Sequence, residues 1–297
     1  MTIIFTSFAG GNLNYRLAAK RIREEAISSK FFDKVCVYDD LSPSFSLGDF
    51  IEKNRHMLKM RGYCFWAWKP ILLLDIFDLS NPGDIICYAD SGCQISKYGG
   101  EIFKKNIAHC RENGSLFFHM SEFVEKNWSK SKLLEYLGAM GNKEVTDTPM
   151  IQATYFYLEV NIKNHELLTS WANLTVIDNF KLINDDDSYG IEGANFVEHR
   201  HDQSILSILV KQKKYLSKEY ECHYKNKSYY INSPVMLYPI HSLRNRSEKI
   251  CHRLVFLYSK PKYINSDSFF IRFINNLFFT IAFMFKVLNY YKKRIIK

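Results

Sequence analysis

A buried strand that ends in a single acidic residue constrains the fold of this chain more than any other sequence feature. Residues 85–89 (IICYA) are apolar, Asp90 follows at once, and the next two positions are Ser91 and Gly92. A continuous apolar run of this length is typical of a strand buried on both faces of a parallel sheet. In one interpretation the strand simply ends in a tight turn. In the other, Asp90 faces a ligand at the carboxyl edge of the sheet, where open α/β sheets bind their ligands.

Strands and helices alternate along the first half of the chain, and this alternation favours the second interpretation. Strands are predicted at residues 3–8, 34–38 and 115–119, and helices at about 14–28 and at 71–77. In the second half we expect a strand-like, aromatic stretch at 150–160, helices at 166–174 and 201–214, and a polar, acid-rich loop at 181–193. This order predicts a single large α/β domain whose parallel sheet is covered by helices on both faces.

Charge and cysteine content narrow the class of partner and the compartment. The formal charge of +9 favours anionic partners, namely nucleotide phosphates, nucleic acid or acidic lipid. The sequence has no zinc-finger spacing, no aromatic RNA-binding motif and no basic repeat, so we expect no nucleic-acid partner. The seven cysteines never fall as CxxC, which favours a reducing compartment over a disulfide framework or a zinc site. The apolar amino terminus is predicted to be the first strand and not a signal peptide.

Candidate ligand-binding residues in the first half follow the strands or open a helix. The turn after the first strand contains Gly10 and Gly11, which either make the turn or let backbone approach a diphosphate. Arg16, one helical turn later, either binds phosphate or lies on a solvated helix face. In an extended segment Trp66 and Trp68 would share one face, and Lys69 at the following helix start would be placed to meet an anion.

The stretch FVEHRHDQSILSILV at 196–210 carries the candidate site residues of the second half. Asp202 and Gln203 open an amphipathic helix, and carboxylate and amide groups suit the vicinal hydroxyls of a sugar. Asp202 could instead cap the helix, as acids commonly do. His199 and its two neighbours would crowd three cationic or titratable groups into one turn. This clustering favours a functional site over simple capping.

Taken in order, these motifs resemble a known family. The chain resembles the GT-A nucleotide-sugar glycosyltransferases, above all bacterial enzymes that build O-antigen and capsule. The resemblance lies in the order of a basic helix start (WKP, 68–70), an apolar helix, a Gly-Asp pair and a strand ending in YADSG. Residues 125–138 resemble a helix start that such enzymes carry after the next strand, and the Asp202–Gln203 pair resembles one at their sugar pocket. The resemblance covers about residues 1–255. It implies a GT-A-like, Rossmann-like α/β fold with a mostly parallel sheet and flanking helices.

The resemblance also implies roles for individual residues. In glycogenin-like families two acids at the strand end hold a divalent metal on the diphosphate; Asp90 matches the first, and Gly92 stands where the second would be. It therefore implies an Mn²⁺ or Mg²⁺ that is weakly bound or dispensable, held by Asp90 and, by a loose likeness, His241. The implied catalytic residues are Asp202, Gln203 and Asp90. The implied nucleotide-sugar-binding residues are Arg16, Lys69, Tyr88, Asp90, Ser91, Gln152, His199 and Arg244.

We therefore expect a glycosyltransferase that moves a hexose from a nucleotide-sugar, a UDP-sugar by the resemblance, to a lipid-linked oligosaccharide. Asp202 would lie near the anomeric centre or the acceptor hydroxyl, as general base if the enzyme inverts configuration. Two other classes stay open. One is a non-catalytic nucleotide-binding or polysaccharide-assembly scaffold that has lost its second acid at Gly92. The other is a membrane-bound nucleic-acid protein, which would bind with steep salt dependence.

The end of the chain predicts a membrane-surface anchor. Residues 273–285 contain no charge and are mostly apolar, which is short for a spanning helix of ~20 residues. Tyr290 and Tyr291, followed by basic residues, are typical of a helix that lies on an anionic membrane surface. The alternative is a helix packed on the core or on a second subunit. We expect a transferase domain at 1–262, an amphipathic tail at 263–297, and a cytoplasmic protein peripheral to the inner membrane.

Overall fold

The computed structural model describes residues 1–186, 192–220 and 238–242. The strands in these ranges are β1 (Ile3–Ala9), β2 (Lys34–Asp39), β3 (Ile85–Ala89), β4 (Gln94–Ile95), β5 (Ser115–Val124), β6 (Pro149–Ile151), β7 (Tyr155–Glu159), β8 (Ser217–Glu219) and β9 (Ile240–His241). The helices are α1 (Leu13–Ser29), α2 (Phe45–Lys53), α3 (Gly62–Phe65), α4 (Trp68–Asp78), α5 (Gly100–Asn113), α6 (Ser131–Tyr136), α7 (Lys143–Thr146), α8 (Ile162–Phe180) and α9 (Asp202–Gln212).

The central sheet is mostly parallel, as the sequence predicts. Its strand order is β2-β1-β3-β7-β5-β6, and β8 pairs with β5. β1 runs parallel to β2 and β3, whereas β7 is antiparallel to both of its neighbours, β3 and β5. Because β8 is parallel and β6 antiparallel to β5, five strands of this sheet point one way and β6 and β7 point the other. β4 and β9 form a separate antiparallel pair.

Helices cover both faces of the sheet because successive side chains of each strand point to opposite sides. On β3, Ile86 and Tyr88 pack into one core with α2, α4, α8 and α9. Ile85, Cys87 and Ala89 pack into the other core with α1 and α5. All five side chains of β3 are buried, which explains why the sequence of this strand is an unbroken apolar run.

Residues 150–160, expected as one strand-like stretch, form two strands. β6 pairs with β5, and β7 lies between β3 and β5. Between them the amide of Ala153 donates to the side chain of Gln203 (Oε1, 3.3 Å) and not to a strand, and the carbonyl of Thr154 accepts from the amide of Asp90 (2.8 Å). The crossing at residues 152–154 therefore lies beside the end of β3.

Helix α9 is fixed by a buried carboxylate. Glu125 is fully buried; Ser129 Oγ (2.6 Å), Lys211 Nζ (2.7 Å) and the Ser207 hydroxyl all donate to it. Ser207 Oγ also accepts from the amide of Ile151 at 2.8 Å. A buried charge is tolerated when it is paired and hydrogen-bonded in this way. These bonds tie α9 to β6 and set the position of the helix start, where Asp202 lies.

The carboxyl ends of β1, β2 and β3 meet at one edge of the sheet, since these strands are parallel. Gly10, Asp40 and Asp90 follow them and therefore lie along that edge. In the part of the chain that the structure describes, no helix is long and apolar enough to cross a membrane. The tail at 263–297 lies outside the described residues, so the anchor and the domain boundary stay predictions.

Candidate active site

A buried ammonium joins the two acids that the sequence singles out. Lys69 Nζ lies 3.1 Å from Asp202 Oδ2 and 3.3 Å from Asp90 Oδ1. It also donates to the carbonyl of Ala153 at 3.0 Å. Lys69 is only 2% exposed, so these three oxygens replace water around its charge. Burial alone would lower the pKa of Lys69, but Asp202 and Asp90 outweigh it, and the net pKa lies above its usual value.

Asp90 is the member of this group that faces outward. Its side chain is 31% exposed, and its Oδ1 accepts from the Tyr88 hydroxyl at 2.6 Å. Both carboxylate contacts are thus made by the same oxygen, and Oδ2 has no hydrogen bond to the described residues. The neighbouring Ser91 is mostly buried, and its carbonyl accepts from the Arg21 guanidinium at 2.7 Å. Asp90 therefore presents one oxygen outward at the end of β3.

Asp202 is the first residue of α9 and is almost fully buried. Its carbonyl accepts from Trp171 Nε1 at 2.9 Å, which holds the start of the helix against α8. Burial raises the pKa of Asp202 to about 7; Lys69 lowers the pKa and the charge of Asp90 raises it further. A carboxyl group with a pKa near neutrality can take up or release a proton at physiological pH.

The two glutamines support the backbone around this group. Gln203 Oε1 accepts from the amide of Ala153, whose carbonyl binds Lys69, and Gln203 Nε2 lies 3.0 Å from Met150 Sδ. Gln152 is buried, and its Nε2 donates to the carbonyl of Tyr155 at 3.2 Å. Both side chains thus hold the crossing at 152–154 beside Asp90.

The two histidines before Asp202 bond to backbone carbonyls. His199 Nε2 lies 2.9 Å from the carbonyl of Leu182, and His199 Nδ1 accepts from the amide of Lys130 at 3.3 Å. Burial, together with His201 and Lys130, holds the pKa of His199 well below its usual value. His201, and not Asp202, occupies the position before the first turn of α9. The Asp202 side chain faces Lys69, so capping does not account for it.

Arg16 belongs to a second polar group, at the ends of β1 and β2. Its Nε lies 2.8 Å from Asp40 Oδ1, and the amide of Gly11 donates to Asp40 Oδ2 at 3.2 Å. Burial and the nearby Asp40 carboxylate raise the pKa of Tyr63 to about 12. A Cβ on Gly10 would lie 2.5 Å from the Tyr63 ring, so glycine is needed for this close approach.

The backbone of residues 62–66 is left-handed, and not extended as the sequence predicts. The φ values of Gly62, Tyr63, Cys64, Phe65 and Trp66 are all positive, between 52° and 69°. This left-handed turn, which includes α3, buries Phe65, directs Tyr63 to Asp40, and leads directly into α4 and Lys69. Trp66 and Trp68 therefore do not share one face of an extended segment. Only the glycine at 62 was a local sign of such a turn.

The donor set for a divalent metal is poor. Among the described residues no group of three or more His, Cys, Asp or Glu side chains could hold a metal ion. Asp90 Oδ1 is already shared by Tyr88 and Lys69, and His241 Nε2 lies 2.8 Å from the carbonyl of Tyr238. A divalent cation prefers about six oxygen ligands, so the residues present do not fit a tightly held Mn²⁺ or Mg²⁺. Arg244 lies outside the described residues.

No protein-family model matches this sequence, and no curated protein sequence matches it. Solved structures similar to this chain include mouse xyloside xylosyltransferase 1 in its apo form, with 12% identity, a TM-score of 0.40, and coverage of 73% of this chain and 84% of that chain. Another is a glycosyltransferase involved in the glycosylation of the major capsid of PBCV-1, with 10% identity, a TM-score of 0.35, and coverage of 67% and 82%. Both similar proteins are glycosyltransferases. Likeness at this level carries no argument about activity, which rests on the site itself.

Proposed function

We propose that this chain is a glycosyltransferase with its active site at Asp90, Lys69 and Asp202. The observation that carries the proposal is the bridge that Lys69 makes between the two carboxylates, at 3.3 and 3.1 Å. Asp90 is partly exposed at a sheet edge where α/β proteins bind ligands, and Asp202 has a pKa of about 7. The site thus joins, through a cation, one acid that can contact a ligand and one that can exchange a proton. This arrangement suits sugar transfer.

The chemistry follows from the properties of the two acids. An acceptor hydroxyl attacks the anomeric carbon, the new glycosidic C–O bond forms, and the C–O bond to the nucleoside diphosphate breaks with its electron pair leaving on phosphate. In an inverting reaction Asp202 takes the hydroxyl proton. Lys69 favours the ionised form of Asp202 before attack and so keeps a usable base in a buried site. Asp90 accepts hydrogen bonds from the donor through its outward oxygen.

The finer assignments rest on the sequence. We propose a UDP-hexose as donor and a lipid-linked oligosaccharide of O-antigen or capsule assembly as acceptor, because the YADSG and Asp202–Gln203 motifs resemble those of enzymes that make these polymers. The charge of +9 and the apolar, basic tail support an enzyme on the cytoplasmic surface of the inner membrane. That location would place enzyme and lipid-linked acceptor on one surface.

The test is a donor screen read by release of nucleoside diphosphate. Purified full-length protein is incubated with UDP-glucose, UDP-galactose and their N-acetyl forms without acceptor, with and without Mn²⁺, and UDP is quantified. We expect slow hydrolysis of one sugar nucleotide, because water can replace the acceptor. Asp202→Ala should reduce it at least ~10²-fold, the usual scale for a positioned acid–base group.

Asp49→Ala is the matched control, because Asp49 is an exposed acid on α2. It should release UDP at the wild-type rate. If UDP-sugars bind but the wild type releases UDP no faster than Asp202→Ala, the chain is a nucleotide-binding scaffold and the proposal is wrong.

A further inference from the structure

The residue before Asp202 has a backbone conformation that helix capping does not explain. His201 has φ of 53° and ψ of −124°, a region that non-glycine residues rarely adopt. Strain of this kind persists only where the surroundings hold it. Residues that cap a helix usually have extended backbone and bond an amide of the first turn. The His201 side chain makes no such bond.

Contacts to the His201 ring hold this conformation. Its Nδ1 lies 2.7 Å from the carbonyl of Ile183, so Nδ1 carries the proton and donates. The ring stacks on Phe65, with centroids 5.4 Å apart and planes 29° apart, and lies against Trp66 at 5.4 Å and 33°. His201 is 2% exposed. His201 Nε2 also lies 3.6 Å from Asp185 Oδ1, and the His199 ring lies edge-on to it at 5.6 Å. These contacts together determine where the ring lies.

The partner segment is strained as well. Four successive non-glycine residues, 63–66, have positive φ, which is unfavourable for side chains with a Cβ. A Cβ at Gly62 would lie 2.2 Å from the Trp66 ring, so the turn is built around the close approach of this ring to Gly62. Two strained segments therefore meet in one stack of rings. Strain of this kind tends to cluster at functional sites, where it is retained because it sets a geometry.

The stack lies between the two chain segments that carry Lys69 and Asp202. Phe65 and Trp66 precede Lys69 by four and three residues, and His201 immediately precedes Asp202. We propose that His201 is a positioning residue whose ring, clamped by Phe65 and Trp66, sets the distance between the Asp202 carboxylate and the Lys69 ammonium. This inference rests on the proposed function, in which that pair is part of the active site.

Loss of the His201 ring should change the distance between Asp202 and Lys69. A displacement of about 1 Å at a reacting group can reduce turnover ~10²-fold. Lys69 lowers the pKa of Asp202, so a longer distance between them would leave Asp202 with a higher pKa. The contacts of the His201 ring include neither Asp90 nor Asp40, so a substitution of His201 should affect donor binding much less.

Three substitutions of His201 separate the effect of the ring contacts from the effect of the backbone conformation. His201→Phe keeps a stacking ring and loses the bond to Ile183. His201→Asn tolerates a positive φ and loses the ring. His201→Gly relieves the strain and loses every side-chain contact. We expect turnover of the glycine and asparagine variants to fall ~10²-fold with donor KM changed less than ~3-fold, and His201→Phe to recover most of the loss.

The second readout does not depend on activity. The titration of Asp202, followed by NMR of carboxyl-labelled protein and assigned with Asp202→Asn, should show a higher pKa in His201→Gly and His201→Asn than in the wild type and in His201→Phe. Circular dichroism and thermal unfolding show which variants fold. If His201→Gly destabilises the protein too far, His201→Asn and His201→Phe still make the comparison.

The outcomes distinguish the two proposals. If Asp202 titrates at a higher pKa in the variants without a ring but no UDP-sugar is turned over by any form, the positioning role stands and the transferase proposal fails. If the wild type turns over donor and the folded glycine and asparagine variants match it in turnover and in Asp202 titration, the positioning role is overturned. A rise in donor KM with unchanged turnover would also overturn it, because His201 would then act in donor binding.

Discussion

Lys69 is the residue on which the candidate site depends. Its ammonium has three hydrogen-bonding positions, and three oxygens, from Ala153, Asp90 and Asp202, lie within 3.3 Å of it. Together the cation and the two ionised carboxylates carry one net negative charge. A buried cation without partners would be strongly destabilising, so each acid has a structural role beside its proposed chemical one. Substitutions that keep shape and remove charge are therefore the informative ones.

Asp90→Asn should abolish transfer and leave the fold intact. Asparagine keeps an oxygen for Tyr88 and Lys69 but loses the negative charge of the outward oxygen, and we expect turnover to fall at least ~10²-fold. UDP release and the unfolding temperature measure the two effects. Asp49→Asn, on the exposed side of α2, is the control. Near-normal turnover in Asp90→Asn would remove Asp90 from the active site.

The pH dependence of turnover should report Asp202. The proposed reaction needs the carboxylate, and burial raises the pKa of Asp202 to about 7. Turnover should therefore rise as the pH increases through about 7 and level off above it. A profile of kcat against pH for the preferred donor tests this. A kcat that stays level across this range would show that Asp202 does not supply the base.

Protein stability should depend on pH in the opposite direction. The folded-state pKa of Asp202 lies above the ordinary value of 3.8, so between these two values the folded chain binds a proton that the unfolded chain has lost. The free energy of unfolding of the wild type, relative to Asp202→Asn, should therefore fall as the pH rises from about 4 to about 7, then stay level. Urea unfolding of both proteins across this range measures the difference. Parallel curves would contradict the raised pKa.

At the scale of elements, the left-handed turn at 62–66 links the two polar groups of the sheet edge. Tyr63 lies near the Asp40 carboxylate beside β2, and Phe65 and Trp66 contact His201 ahead of α9. The same turn ends where α4 begins, so it also sets the start of the helix that carries Lys69. A right-handed helix or an extended strand at these residues would place the three rings elsewhere.

Gly62→Ala and Gly83→Ala test this turn as a matched pair. Both glycines have positive φ, 65° and 85°, but a Cβ at Gly62 would meet the Trp66 ring at 2.2 Å whereas one at Gly83 would meet nothing within 4 Å. Gly83→Ala should cost about 1 kcal/mol of unfolding free energy, the left-handed penalty alone, and keep activity. Gly62→Ala should cost more and lose turnover, measured by urea unfolding and UDP release. Equal effects would show that Trp66 moves aside freely.

For the whole molecule, the protein supplies its own cation to the candidate site, and the group as a whole keeps one net negative charge. The described residues offer a divalent ion one partly exposed carboxylate at the end of β3, and Lys69 already compensates that acid. We therefore expect turnover to persist in EDTA, with at most a several-fold increase on adding Mn²⁺ or Mg²⁺. Complete loss of activity in EDTA, restored only by Mn²⁺, would show that further ligands come from outside the described residues.

Deletion of the tail tests the predicted location. A chain ending at Asp267 should be soluble and folded and should still bind UDP, because the described sheet and site lie before residue 243. It should no longer sediment with anionic liposomes, whereas the full chain should, since the apolar and basic residues of the tail are those expected at a membrane surface. Neutral liposomes are the control. If the shortened protein aggregates or unfolds, the tail is part of the core or of a subunit interface.

Most strands of the sheet, and the positions of Asp90 and Asp202 beside them, can be predicted from the sequence alone. Apolar strand runs, the helix at 202–212 and the acids that follow or open them are local patterns, because burial and helical periodicity repeat over a few residues. The strand at 85–89 was predicted to the residue, and Asp90 and Asp202 were both named from their positions beside such patterns.

How these residues meet depends on tertiary contacts that the sequence does not reveal. Lys69 was expected to face an anion at a helix start, and it is buried between Asp90 and Asp202, 21 and 133 positions later. The antiparallel β7, the left-handed turn at 62–66 and the strained His201 likewise leave little local sign. Each depends on a contact between distant segments, such as that between the rings of Phe65 and His201. The energy of such a contact outweighs the local backbone preference of the residues, and it cannot be predicted from the preferences of single residues.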